Sequence, residues 1–166
     1  MAHISYNDQR QQNRSWNTGG IQRNNAGNTP PVQTVVAKEL PAQYVDAAEQ
    51  VIAKMNDRPD KQKAITSTKI RKLFGLFIDL YNEIKRSDND TLTESQMQVL
   101  TSARVRIVYE CGRERSVQER SVQEFVRDAN LLEYLKSVGN SRQKLMKFYN
   151  YFEALVAYHR FYFGDK

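Results

Sequence analysis

The side chains of this sequence that could do chemistry are mostly cations, and they collect where a helix tolerates them least. Lys69, Arg71 and Lys72 follow Thr66-Ser67-Thr68, a run of good helix N-caps, and Arg142, Lys144 and Lys147 follow Ser141. A helix N-terminus is the positive end of the macrodipole, so an exposed cation there costs up to ~1 kcal/mol. A bound polyanion reverses that sign, because terminal amides and cations together favour phosphate. The competing reading is a solvated, salt-screened face with no ligand.

A second set lies between Met97 and Gly112, where Met97, Leu100, Ile107, Val108 and Cys111 read as one apolar stripe. Arg104 falls in the middle of that stripe on a helical wheel, so it must pair or reach out to a groove edge. An ion pair, for instance with Glu153, and a contact with RNA are both open to it. Arg106 and Arg113 are seven residues apart and share the opposite side with Tyr109. Arginines beside an aromatic suit backbone contact combined with base stacking.

Catalytic chemistry has little to work with. Glu83, Glu110 and Glu153 are scattered, with no acid–base pair at helical spacing. The histidines are His3 and His159, and Cys111 is a lone cysteine, so no zinc spacing and no internal disulfide arises. No glycine-rich phosphate loop or G-x-S-x-G elbow occurs. No metal and no cofactor are expected.

The elements that must position these cations are helical. Residues 41–56 read as a short helix with Pro41 in its first turn and Tyr44, Ala48, Val51, Ile52 and Met55 on one face. A long amphipathic helix is expected from the Thr66 region to about Arg86, with Ile70, Leu73, Phe74, Phe77, Leu80, Tyr81 and Ile84 three and four residues apart. Ser87-Asp88-Asn89-Asp90 is a turn. Thr93 and Gln96 form a capping box for a third helix that ends or kinks at Gly112. The block Arg115–Glu119 (RSVQE) repeats as Arg120–Glu124, a local duplication. A fourth helix carries Phe125, Val126, Leu131, Leu132 and Leu135 and stops at Gly139. Asn140 or Ser141 caps the last helix, which runs to about Phe161 with Leu145, Phe148, Tyr149, Phe152, Leu155, Val156 and His159 on its main face. Tyr151, Ala154, Tyr158 and Phe161 form a second apolar face. Either another protein or a short helix of the same chain must cover it, and Tyr151, Tyr158 and Phe161 are the candidate protein interface. His159 reads as a packed core imidazole.

The sum is an all-α protein, a compact bundle of about five helices over residues 34–166. Residues 1–33, dominated by Asn, Gln, Gly and Ser and closed by Pro30-Pro31, read as a disordered polar tail. The 166 residues hold 25 Lys plus Arg against 19 Asp plus Glu, a formal net charge of +6. The pI near 9.4 favours anionic partners, and a mean hydropathy of −0.71 lies on the polar side. No apolar run approaches the ~20 residues of a membrane helix. With no apolar leader and a single cysteine, the expected location is the cytoplasm and no membrane contact is expected.

Three blocks also carry a family likeness. T-S-T-K-I-R (Thr66–Arg71), R-V-R-I-V-Y-E-C-G-R (Arg104–Arg113) and Y-F-E-A-L-V-A-Y-H-R-F-Y (Tyr151–Tyr162) make the chain, over about residues 65–166, resemble the small subunit of type III-A CRISPR effector complexes, the Csm complexes. The doubled RSVQE departs from the family pattern, which runs from G-R-x-x-S-V directly into x-E-F. The resemblance implies a helical protein with no catalytic activity of its own. Such copies stack head to tail along a ribonucleoprotein filament, beside the other Csm subunits, and line the channel where guide RNA and target RNA pair. It carries RNA contact onto Lys69, Arg71, Arg104, Arg106 and Arg113. Lys72, Arg142 and Lys144 rest on helix electrostatics alone. The alternative is a purely structural helical adaptor whose basic face is only solvated.

Overall fold

The computed structural model describes residues 34–114 and 120–164, and these form seven α-helices with no strand among them. They are α1 (Tyr44–Asn56), α2 (Ser67–Gly75), α3 (Ile78–Lys85), α4 (Glu94–Gly112), α5 (Ser121–Asp128), α6 (Leu131–Ser137) and α7 (Arg142–Phe163), with a 3-10 turn at Lys61–Lys63. The expected all-α class holds, with seven shorter helices where about five were expected. The polar stretch 1–33 and the first RSVQE copy lie outside the described residues.

Helix α7 is the axis of the fold. Its residues Leu145, Phe148, Tyr149, Phe152, Leu155 and His159 are buried, and α1, α2, α3 and α6 pack around it. Helix α4 stands further out and reaches the rest chiefly through α3 and α5. Aromatic contacts tie the centre together: Phe77 meets Phe148 edge-on at 5.3 Å, and Tyr81 stacks on Tyr149 at 3.7 Å.

Several boundaries follow the local chemistry read from the sequence. Thr66 caps α2 by accepting from the Lys69 amide at 3.4 Å. Thr93 and Gln96 close a full capping box, with bonds of 3.2 and 3.0 Å. Ser141 caps α7, and Gly139 follows α6 at φ +56°, the left-handed position a glycine accepts without strain. His159 is buried, as expected of a packed imidazole. Its Nε2–H donates to the Ile65 carbonyl at 2.7 Å, and burial lowers its pKa.

Two expected long helices are broken. The helix expected over 66–86 tightens after Gly75, where Leu76 and Phe77 donate to carbonyls three residues back. Glycine is a weak helix former, and the turn sets Phe77 between Phe148 and Phe152. The helix expected through Leu135 breaks at Asn130, the one described non-glycine residue with positive φ (+47°). That break frees the Ala129 carbonyl at the end of α5, and the Tyr151 hydroxyl donates to it at 2.9 Å.

The stripe expected on the third helix is rotated. The buried residues of α4 are Gln96, Leu100, Ala103, Ile107 and Glu110, while Met97, Val105, Val108 and Tyr109 face solvent. Before α1, residues 35–40 form a strap over the other end of the bundle. The Lys38 amide donates to Glu133 O, Lys136 Nζ to Val35 O and Lys147 Nζ to Leu40 O, and Lys144 pairs with Glu39 at 2.7 Å.

Candidate nucleic-acid interface

Four of the expected cations come together where α2 passes the end of α4. Lys69 and Lys72 project from the first two turns of α2, which Thr66 starts. Arg106 and Arg113 project from the last turns of α4 and its C-cap. Two carboxylates lie between them. Glu110 Oε1 takes Lys72 Nζ at 3.0 Å and Arg106 Nε at 3.3 Å, while Oε2 takes Arg113 Nη2 at 3.5 Å. Glu114 Oε1 takes Lys69 Nζ and the Ser121 hydroxyl, both at 2.8 Å. Its Oε2 accepts from the Val122 amide at 2.9 Å, so Glu114 also serves as the anion at the start of α5.

The carboxylates are the buried members of this cluster. Glu110 and Glu114 side chains are each 7% exposed, whereas Lys72, Arg106 and Arg113 are 46%, 51% and 58% exposed. The hydrogen bond from Lys72 holds the Glu110 carboxyl below the ordinary carboxylate range, against the opposing effect of burial, and Arg113 and Arg106 add to the lowering. The groups open onto a cleft of about 400 Å³ with Leu73 and Val122 in its wall. Among the described residues, Lys69, Lys72 and Arg113 line this cleft with Glu110 and Glu114, three cations against two carboxylates, and Arg106 reaches Glu110 from beside it. Arg106 also lies 5.1 Å from the centre of the half-exposed Tyr109 ring. Burial pushes the nearby Cys111 thiol up to about 11, so it stays protonated near neutrality. No group of metal-ligating side chains occurs among the described residues.

The remaining expected cations lie elsewhere or play other parts. Arg71 is exposed on α2, close enough to His159 to oppose its protonation. Arg104, expected inside an apolar stripe, is exposed on the far flank of α4 beside Leu135 and Lys136. The true stripe is centred on Ala103, which turns Arg104 outward, and no ion pair to Glu153 forms among the described residues. Arg142 Nε donates to the Ile84 carbonyl at 2.8 Å, closing the end of α3, and Lys144 bonds Glu39 and the Ser137 carbonyl. The start of α2 lies at the C-terminal end of α7, since Ser67 Oγ donates to Gly164 O. Arg142 and Lys144 therefore stand roughly 33 Å away along the axis of a 22-residue helix. The dipole cost that pointed to a ligand is offset internally at Lys69, Lys72 and Lys144, each by an acid of this chain.

The candidate protein interface divides. Tyr151 is 1% exposed, bonded to Ala129 and set edge-on against Tyr134 of α6, so it belongs to the core and is corrected from an interface to a packing residue. A short helix of the same chain covers that face. Tyr158 is half-buried, and Phe161 is 78% exposed.

A family model described as Csm2 Type III-A matches residues 39–165. The chain belongs to the Csm2 type III-A family. The match begins well before the three blocks that carry the resemblance and takes in α1. The chain is similar to the CRISPR system Cms protein Csm2 of Streptococcus thermophilus, 36% identical over 121 residues that span 73% of this chain and 92% of the relative. The protein of that name in Mycobacterium tuberculosis (strain ATCC 25618 / H37Rv) is 40% identical over 97 residues, 58% of this chain and 74% of the relative. That of Enterococcus italicus is 35% identical over 102 residues, 61% of this chain and 71% of the relative.

In the sequence of this Csm2-family chain Glu110 reads only as a scattered acid, and Glu114 carries no role. The pattern that finds Glu110 is the register Gln96, Leu100, Ala103, Ile107, Glu110, spaced by three and four. An acid that ends a buried stripe needs cations, and Arg106 and Arg113 are one turn away on either side.

Proposed function

We propose that this protein is a non-catalytic small subunit of a type III-A CRISPR ribonucleoprotein effector. It works in the cytoplasm in antiviral defence, beside the other Csm subunits and further copies of itself. Its part is to hold guide or target RNA by the phosphate backbone, while base pairing between the strands supplies sequence specificity. Family membership supports the assembly. The observation that carries the RNA contact is the convergence of Lys69, Lys72 and Arg113 on one open cleft, with Arg106 beside it and their counter-charges buried beneath them. Tyr158 and Phe161 on α7 are the side chains assigned to a protein neighbour, Phe161 because so large an exposed aromatic suits a partner.

Titrating the full chain with single-stranded and duplex RNA across salt tests this. Phosphate contact gives a log–log slope of about −0.7 per phosphate neutralised on a single strand. Lys72→Glu with Arg106→Glu and Arg113→Glu should abolish binding and depress target-RNA retention by the reconstituted complex. The ion pairs within the cluster also fit a structural adaptor. An adaptor would show no salt-dependent binding and would tolerate the reversals in the complex.

A further inference from the structure

We propose that Glu110 is a positioning residue for phosphate: its buried carboxylate gathers Lys72, Arg106 and Arg113 into one cradle whose outward donors take a single RNA phosphate. This rests on the RNA-binding reading above and gives it an internal mechanism.

The three cations come from separate places, one on α2, one inside α4 and one just past its end. Among the described residues, Glu110 is the group that meets all three: Lys72 hydrogen-bonds it at 3.0 Å, and Arg106 and Arg113 lie in ion-pair contact at 3.3 and 3.5 Å. Its carboxylate lies under them, and each keeps donors to spare. An ammonium has three N–H groups and a guanidinium five. Lys72 spends one on Glu110. Arg106 faces Glu110 through Nε, with both Nη groups left over, and Arg113 faces it through Nη2, with Nη1 and Nε left over. A phosphate arriving from the cleft meets those remaining donors without displacing the carboxylate. Lys and Arg stems carry much rotamer freedom that binding must remove. Here the fold removes part of it beforehand, so less is lost when RNA arrives. Glu114 has a different part, since it spends its second oxygen on the Val122 amide and braces α5.

A carboxylate beside cations can instead act as a competitor for them, and the two roles differ in sign. Glu110→Gln raises the net charge by one. If Glu110 competes with phosphate, the variant binds RNA more tightly; if it positions, the variant binds more weakly despite the added charge. The full chain is titrated with a labelled oligouridylate at fixed low salt. Glu110→Gln should weaken binding by about three- to tenfold, within the range of coupling between groups of one ion network. In an Arg106→Ala/Arg113→Ala background the same change should have a smaller effect, because two of the three groups it acts through are gone and Lys72 alone remains. Unchanged or tighter binding by Glu110→Gln overturns the proposal alone. Binding indifferent to the Lys72, Arg106 and Arg113 reversals, or absent altogether, overturns the RNA reading and the proposal with it. If Glu110→Gln lowers the melting point sharply, the wild-type chain still decides: the Arg106 Nε–H vector should be rigid by NMR relaxation without RNA. An Arg106 as mobile as the exposed Arg104 overturns the proposal.

Discussion

Three side chains set how this protein responds to acid and to polar substitution. His159 is neutral in the core, and burial holds its pKa below the ordinary 6.5. The unfolded chain therefore takes up the proton first, and the stability from this site is complete above about 6.5 and falls as pH drops toward the folded value. Glu110 is lowered too, from an ordinary 4.5, so its contribution is present above that value and is lost as pH falls through the lower folded one. Melting should show an upper loss beginning below about 6.5 and a separate one under about 4.5. His159→Asn, less stable throughout, should lack the upper step, and melting scans from about pH 8 to about pH 2 check both. Tyr151→Phe strands the Ala129 carbonyl and should cost about 1–3 kcal/mol in a urea titration, with RNA affinity unchanged. Lys72 was legible in the sequence as a cation where the helix dipole disfavours one, and Arg106 and Arg113 as arginines beside Tyr109. Their counter-charge was not, because Glu110 sits where an apolar register is counted and acids are skipped.

Helix identities could be read from the chain wherever a cap or a glycine spoke locally. Thr93, Ser141 and Gly139 end or begin their helices as their residue types demand. Thr93→Ala removes half of a complete capping box and should cost about 1 kcal/mol by thermal or chemical denaturation. The breaks were not legible in the same way. Asn130 interrupts the spaced apolar residues from Phe125 to Leu135, and the tertiary bond from Tyr151 to Ala129 supports that interruption. The phase of α4 was misread for a related reason. Met97 and Val108, counted into the stripe, are exposed, and Ala103, left out of it, is buried, so the face turns about Leu100 and Ile107. That one rotation also placed Arg104 in the core by expectation and on the surface in fact.

Taken entire, the molecule keeps Lys72 and Lys144 apart. The all-α class and the family followed from periodicity and from three sequence blocks. The separation of Lys72 from Lys144 did not, since it depends on how α2 doubles back to the far end of α7. Sites this far apart share no partners, so their effects should add. Lys72→Ala and Lys144→Ala combined should change RNA affinity by the sum of the single effects, to within about 0.5 kcal/mol, in titrations of the four chains. A larger discrepancy would mean that one bound strand bridges both ends. The strap at residues 35–40 has a consequence of another kind. Its peptide groups are tied to α6 and α7, and the amide of the exposed Lys38 is bonded to Glu133 O. A protease that needs an extended backbone must break that bond to cut after Lys38, so the rate of that one cleavage becomes a clock for how often the stretch before α1 lets go.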